Sequence, residues 1–297
     1  MTISSDEFMT TKELASLLRV KERKVYELAA NGEIPCTRAL GKLLFPRAAI
    51  DQWLSEAGSG LDAAPSARGR PNVMLGSHDP LLEWALRESK SGMAMFFDGS
   101  MDGVERFAEG DGIATGLHVY EPATKTWNEH TIRSRFENKP VVLSQWIWRE
   151  RGLIFRPEHD GRITGIDSIA GLKLVPRQAE AGSQHLLEYI LEDAGIDIQK
   201  LETADVARTE TDAALAVSDG SGDVTLGLKS LAKQYRLSFV PVMRERFDLL
   251  VDRRAWFDPP MQTFFAFCMS DTFRKRVADF GGYDIDGMGT ILFNGKS

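Results

Sequence analysis

The stretch Val73-Met74-Leu75-Gly76-Ser77-His78-Asp79-Pro80-Leu81-Leu82 decides the fold. Its apolar run suits a short buried strand, and Gly76-Ser77-His78 breaks that run. Asp79 has the chemistry of a helix cap. Pro80 suits a first helical position, where a missing N–H costs nothing. Leu81, Leu82, Ala85 and Leu86 then recur at helical spacing. The rhythm repeats downstream. Met93 to Phe97 is a strand candidate, Asp98-Gly99-Ser100 a turn, Val104 and Phe107 the face of a helix, and Ala114 to Tyr120 a third strand candidate. Alternating strands and helices with short loops predict an α/β fold whose sheets are mainly parallel and covered by helices.

Ligands of such sheets bind beyond the carboxyl ends of the strands. Ser77 and Ser100 sit there, each at a predicted helix start, where free N–H groups and the helix dipole favour anions. Taken singly, each serine is explained by a helix cap; at equivalent points of adjacent units the two suggest a site. Further on, Leu172 to Val175 reads as a strand leading to Arg177, and Gly182-Ser183 opens a helix through Leu186, Leu187, Tyr189, Ile190 and Leu191. A guanidinium beside a helix start suits an oxyanion or carboxylate, so Arg177→Ala is expected to abolish anion binding. Asp212 to Val217 looks helical and Asp223 to Leu228 a short strand. Thr225 either faces the cleft or is satisfied within the strand. Val141 to Ile147 and Phe239 to Leu250 suit crossovers between two lobes. The first lobe would hold residues 72 to about 146 plus the C-terminal tail, the second roughly 150 to 240.

Residues 1–56 read differently. Thr10 and Glu13 have capping-box spacing, and Leu14, Leu17 and Leu18 form one apolar stripe. A second stripe holds Val25, Leu28 and Ala29, and Asn31-Gly32 stops it. Ile34-Pro35-Cys36-Thr37-Arg38 and Leu43-Leu44-Phe45 around a turn at Leu40-Gly41-Lys42 suggest a short hairpin or wing, and Pro46 a last helix with Ile50, Trp53 and Leu54 inward. Arg19, Lys21, Arg23, Lys24, Tyr26, Arg38 and Lys42 are the candidate DNA contacts. Acidic residues cancel the basic ones in this segment, so one module should bind weakly and a homodimer reading two half-sites is expected. Residues 57–71, small, polar and rich in Pro and Gly, read as a linker, with 72–297 as the second domain.

The chain has 297 residues and a net charge of −7, so bulk charge carries no argument for polyanion binding. Its two cysteines, Cys36 and Cys268, lie in different segments, which argues against a disulfide framework or structural zinc. His78, His118 and His185 lack helical ligand spacing, so no metal is expected. No long apolar run suggests a membrane span, and a cytoplasmic location is expected. Nucleophile elbows, Walker loops and dinucleotide fingerprints are missing from the sequence, which points away from an enzyme.

Two resemblances organise these readings. Met9 to Ala15, Val25-Tyr26, Gly32-Glu33-Ile34-Pro35, Phe45 and Ile50 to Leu54 resemble the excisionase-type winged helix-turn-helix, a relative of the MerR fold. That resemblance implies a second helix in the major groove and a wing on the backbone or minor groove. Gly76 to Asp79, Gly99-Ser100 with Gly103, Gly116-Leu117-His118, Arg177-Gln178 with Gly182-Ser183, Asp223 with Gly227, Glu245 to Leu249 and Gly282-Tyr283-Asp284 resemble the periplasmic-binding-protein-like domain of cytoplasmic regulators. Its relatives include molybdate- and tungstate-binding proteins. The pattern departs at Pro176, Gln184 and His185, where the family commonly has Asn before the arginine and Gly-Thr-Arg-like residues after the glycine. The resemblance implies a two-lobed cleft lined by His118 and Tyr120 together with Ser77, His78, Ser100, Arg177, Gly182, Ser183 and Thr225, while the residues alone leave a buried, satisfied histidine and a core tyrosine equally open. The expected protein is a one-component transcription regulator without a cofactor. It would bind double-stranded DNA and a small anionic effector, either an oxyanion such as molybdate or tungstate or a small carboxylate. An architectural excision factor, or an enzyme on a small anionic metabolite, are the alternatives.

Overall fold

The structure, a computed structural model, describes residues 8–18, 20–39, 42–57, 69–179 and 181–296, with the backbone alone for residues 38, 39, 51, 52 and 55–57. The chain divides into two compact units, Met1–Gly69 and Arg70–Ser297.

In the first unit, β1 (Phe8–Thr10) leads into α1 (Thr11–Leu17), α2 (Glu22–Ala30), β2 (Thr37–Ala39), β3 (Lys42–Pro46) and α3 (Arg47–Ala57). Thr10 and Glu13 form the expected reciprocal capping box. Gly32, just past α2, has φ of 69° and reverses the chain at low cost. Met9, Leu14, Val25, Ile34, Phe45 and Ile50 make the core. Two features differ from the sequence reading. Pro46 ends β3 instead of opening the helix, and β1 pairs antiparallel with β3 from Phe8↔Pro46 to Thr10↔Leu44. A three-residue strand is too short to announce itself by alternation.

The second unit begins with β4 (Val73–Gly76), α4 (Pro80–Ser89), β5 (Ala94–Phe97), α5 (Ser100–Glu109) and β6 (Ala114–Leu117). A small hairpin of β7 (Tyr120–Glu121) and β8 (Thr126–Trp127) precedes α6 (Glu129–Phe136) and the long β9 (Val141–Phe155). Then come α7 (Gly182–Asp193), α8 (Glu210–Ser218), β10 (Val224–Leu228), α9 (Lys229–Tyr235) and β11 (Ser238–Asp252). The chain closes with α10 (Pro259–Cys268), α11 (Asp271–Phe280), β12 (Tyr283–Asp284) and β13 (Ile291–Asn294).

The main sheet runs β10-β9-β11-β6-β4-β5 and is mixed. β4 lies parallel to both β5 and β6, as the repeated strand–helix rhythm requires. The remaining pairs are antiparallel, because β9 and β11 are 15-residue crossovers that run beside each other through both lobes. β6 joins the Asp248–Val251 end of β11, while β10 joins the Arg151–Phe155 end of β9. The Leu172–Val175 segment forms only isolated bridges, from Leu174 to Thr203 and Val224. Separate cores fill the two ends: Met74, Leu82, Trp146, Phe247 and Phe264 in one lobe, Leu153, Leu174, Leu186, Leu191 and Leu226 in the other.

Close packing of α5 on β4 sets Ser100 beside Ser77. A Cβ on Gly103 would lie 2.2 Å from the Gly76 Cα and 2.4 Å from the Thr115 hydroxyl. Gly103→Ala should therefore push α5 off the sheet and destabilise the protein by about 1–3 kcal/mol, read as a lower midpoint in urea unfolding. An unchanged midpoint would mean that the helix has room to shift.

Candidate functional site

The carboxyl ends of β4, β5 and β6 carry the candidate site. The Ser77 and Ser100 hydroxyls, both buried, lie 2.6 Å apart. Ser100 Oγ also accepts the His118 backbone N–H at 3.1 Å. From the other lobe, α7 meets this pair head-on. A Cβ on Gly182 would stand 3.0 Å from Ser100 Oγ and 2.8 Å from the His118 carbonyl oxygen, so only glycine lets the helix approach this closely. Neither α5, after Gly99, nor α7, after Ala181, has a side-chain cap. The first N–H groups of a helix have no intrahelical acceptor. Two uncapped helix starts from opposite lobes thus converge on one pair of hydroxyls. α4 is different: Asp79 accepts from the N–H groups of Leu81 and Leu82.

Arg177 and Ser183 lie in the same region, but the guanidinium is engaged. Nε donates to the Ala207 carbonyl at 3.1 Å and Nη2 to the Arg208 carbonyl at 2.8 Å. Nη1 lies 3.2 Å from the Glu210 carboxylate and 3.5 Å from Ser183 Oγ. The cation expected to face a ligand braces the second lobe.

Beneath the serines lies a network that the sequence reading missed. Arg149 and Arg151, on alternate positions of β9, face Glu245 of β11, and both bond its carboxylate. Arg149 also donates to Asp79 at 2.8 Å, and Arg151 to Glu210 at 2.9 Å. His118 Nδ1 lies 3.0 Å from Glu245, and the Tyr283 hydroxyl donates to Asp79 at 3.0 Å. Asp79, Arg149, Arg151, Glu210 and Glu245 are all 2% exposed or less. With Arg177, three guanidiniums balance three carboxylates, so this network is internally neutralised. Two arginines at alternate positions of a long strand-forming run, Arg149 and Arg151 within Val141–Phe155, were the available signal.

Burial alone would raise the pKa of Glu210, but Arg151 and Arg177 outweigh it and hold the group down to about 2. Glu245 likewise lies well below the usual carboxylate range, because Arg149, Arg151 and His118 overcome its burial. Burial pushes the His118 imidazole down against the pull of Glu245, which favours its neutral form.

Three other expected residues have partners of their own. The Thr225 hydroxyl donates to the Val175 carbonyl at 3.0 Å, which is the internally satisfied alternative. Tyr120 packs against Trp127 and Tyr189, with ring centroids 5.0 and 5.1 Å away. His78 pairs with Glu83 at 3.0 Å and lies edge-on to Phe97. No group of side chains suited to hold a metal ion occurs among the described residues.

In the first unit, Lys21, Arg23, Lys24 and Tyr26 are exposed at the start and on the flank of α2, and Lys42 is exposed on the wing. Lys24 pairs with Glu27 at 2.8 Å. Thr10, Thr11, Lys12, Tyr26, Lys42, Leu43 and Leu44 line an open groove of about 530 Å³. Arg19 and the Arg38 side chain lie outside the described residues.

Residues 83–269 match the model of the PBP superfamily domain. The chain belongs to that family. Residues 8–58 match a helix-turn-helix domain model, so an excisionase-type helix-turn-helix precedes the PBP-like domain. A curated relative, the uncharacterized protein YvgK of Bacillus subtilis, is 22% identical over 303 residues and spans 95% of this chain and 97% of its own length. Among solved structures, the tungstate ABC transporter from Geobacter sulfurreducens is 11% identical with a TM-score of 0.50, covering 70% of this chain and 97% of that one. The regulatory domain of a LysR family regulator from N. meningitidis is 12% identical with a TM-score of 0.51, covering 72% and 96%. These likenesses establish the fold. No described helix is long and apolar enough to cross a membrane.

Glu245→Gln leaves two buried guanidiniums short of one charge and should cost about 3–5 kcal/mol in denaturant unfolding. A loss below about 1 kcal/mol would contradict its role as hub. Because the Glu210 pKa is depressed on folding, its contribution is present above about 4.5, the ordinary carboxylate value, and lost as pH falls towards 2. Glu210→Gln should therefore narrow its deficit against wild type over that window. A deficit unchanged between pH 5 and pH 2 would refute the assignment.

Proposed function

We propose that this protein is a one-component, non-enzymatic transcription regulator that binds promoter DNA through its helix-turn-helix and a small anion in the cleft of its PBP-like domain. One observation carries the reading: the uncapped starts of α5 and α7 meet across the cleft at the Ser77–Ser100 hydroxyl pair. Helix starts and hydroxyls are donors without full charges, suited to a small anion that must be held and released. The effector class is an oxyanion, molybdate or tungstate, or a small carboxylate. The protein acts in the cytoplasm as a homodimer, since a charge-balanced module gains affinity from a second half-site. Effector binding favours closed lobes and alters DNA affinity only through its differential affinity for the two states.

Thermal shifts with molybdate, tungstate, sulfate and small carboxylates test the sensing. At least one should raise the melting temperature, and Ser100→Ala should weaken its binding by roughly 3- to 10-fold, the worth of about one hydrogen bond. No shift with any of these anions, or full affinity in Ser100→Ala, would overturn the site.

Gel-shift titration against a promoter fragment tests the DNA head. Lys42→Ala should reduce the slope of log K against log salt by about 1. An unchanged slope would remove Lys42 from the phosphate contacts.

A further inference from the structure

Both lobes also touch at the rim of the cleft. Asp98 follows β5 in the first lobe, directly before Gly99-Ser100. Its Oδ1 accepts from the Gln178 side-chain amide of the second lobe at 3.2 Å and lies 3.7 Å from the Arg208 guanidinium. Gln178 immediately follows Arg177. Arg177 in turn fixes residue 208, because its Nη2 donates to the Arg208 carbonyl, while Nε holds the neighbouring Ala207 carbonyl. Its own N–H is held by Gln184 Oε1 of α7 at 2.9 Å. The Asp98 side chain is 37% exposed and that of Arg208 is 78% exposed, so this contact lies in solvent at the rim, unlike the buried hub.

We infer that Asp98, Gln178 and Arg208 form a clasp across the cleft mouth, and that Arg177 is its positioning residue. The inference rests on the preceding reading only in taking the space between the lobes as the ligand cleft. The Asp98 carboxylate acts as a built-in anion, drawing the second lobe onto the first through an amide and a guanidinium. An exposed pair of this kind is individually weak. That suits a closure that must reopen: a clasp biases the population of closed molecules a few-fold without locking them. The buried hub could not serve this way, because separating its charges from their partners would leave several uncompensated at once. The strut role also accounts for Arg177 having its donors turned towards carbonyls of its own lobe.

The test uses full-length protein with Cys36→Ser and spin labels on Glu88→Cys of α4 and Glu192→Cys of α7, both exposed. Interlobe distances are measured by pulsed electron resonance without any effector. The clasped protein should give a short, narrow distribution. Asp98→Ala, Arg208→Ala and Arg177→Ala should each add a component longer by more than about 2 Å, the scale of a hinge rearrangement. The exchange Asp98→Arg with Arg208→Asp should restore the short distance. Asp98→Asn, which keeps the acceptor oxygen but not the charge, should fall between wild type and Asp98→Ala. Identical distributions in wild type and Asp98→Ala, or no recovery in the exchanged pair, would overturn the clasp. Failure here is distinguishable from failure of the sensing proposal. Thermal shifts with molybdate or tungstate that survive an unchanged distance distribution would leave the cleft site standing and remove only the clasp.

Discussion

Glu245 between Arg149 and Arg151 is the interaction on which the second unit depends. A carboxylate and two guanidiniums removed from water carry a large desolvation penalty, offset only when every charge has a partner in good geometry. The partners come from both lobes: Asp79 at the first helix of one, Glu210 at a helix start of the other, and His118 beside the serines. The two 15-residue strands that carry the arginines and the glutamate are also the crossovers between lobes. Electrostatic satisfaction and lobe connectivity are therefore one constraint.

That constraint shapes the chemistry above it. With its charges paired among themselves, the network carries no net charge. What remains at the meeting point are hydroxyls and helix starts, which are hydrogen-bond donors without full charges. Gly182 permits the approach because a side chain there would strike the Ser100 hydroxyl and the His118 carbonyl. The neutral tendency of His118 fits the same picture, since burial disfavours its charged form and Arg149 and Arg151 already neutralise Glu245.

Local signals were legible wherever one short segment determines its own shape. The Thr10–Glu13 capping box, the Asp79 cap with Pro80 behind it, and the opening of α7 at Gly182 all lie where spacing predicts them. Spacing failed where pairing is remote. β1 is three residues long and exists because β3 lies beside it, and Leu172–Val175 has strand composition but makes only bridges. Arg177 shows the same limit for a site residue. Its place near a helix start suggested a ligand contact, yet its hydrogen-bond partners come from residues about thirty positions away.

By itself, then, the sequence determined the two-part organisation, the α/β class and the capped helix starts after Thr10 and Asp79, because capping and hydrophobic periodicity act within a few residues. Only the tertiary structure decided which charges neutralise one another, how far the crossover strands extend, and which faces of the serine loops meet α7. Those outcomes depend on contacts between residues far apart in the chain, and the energy of a buried charge is set by what surrounds it, not by its neighbours in sequence.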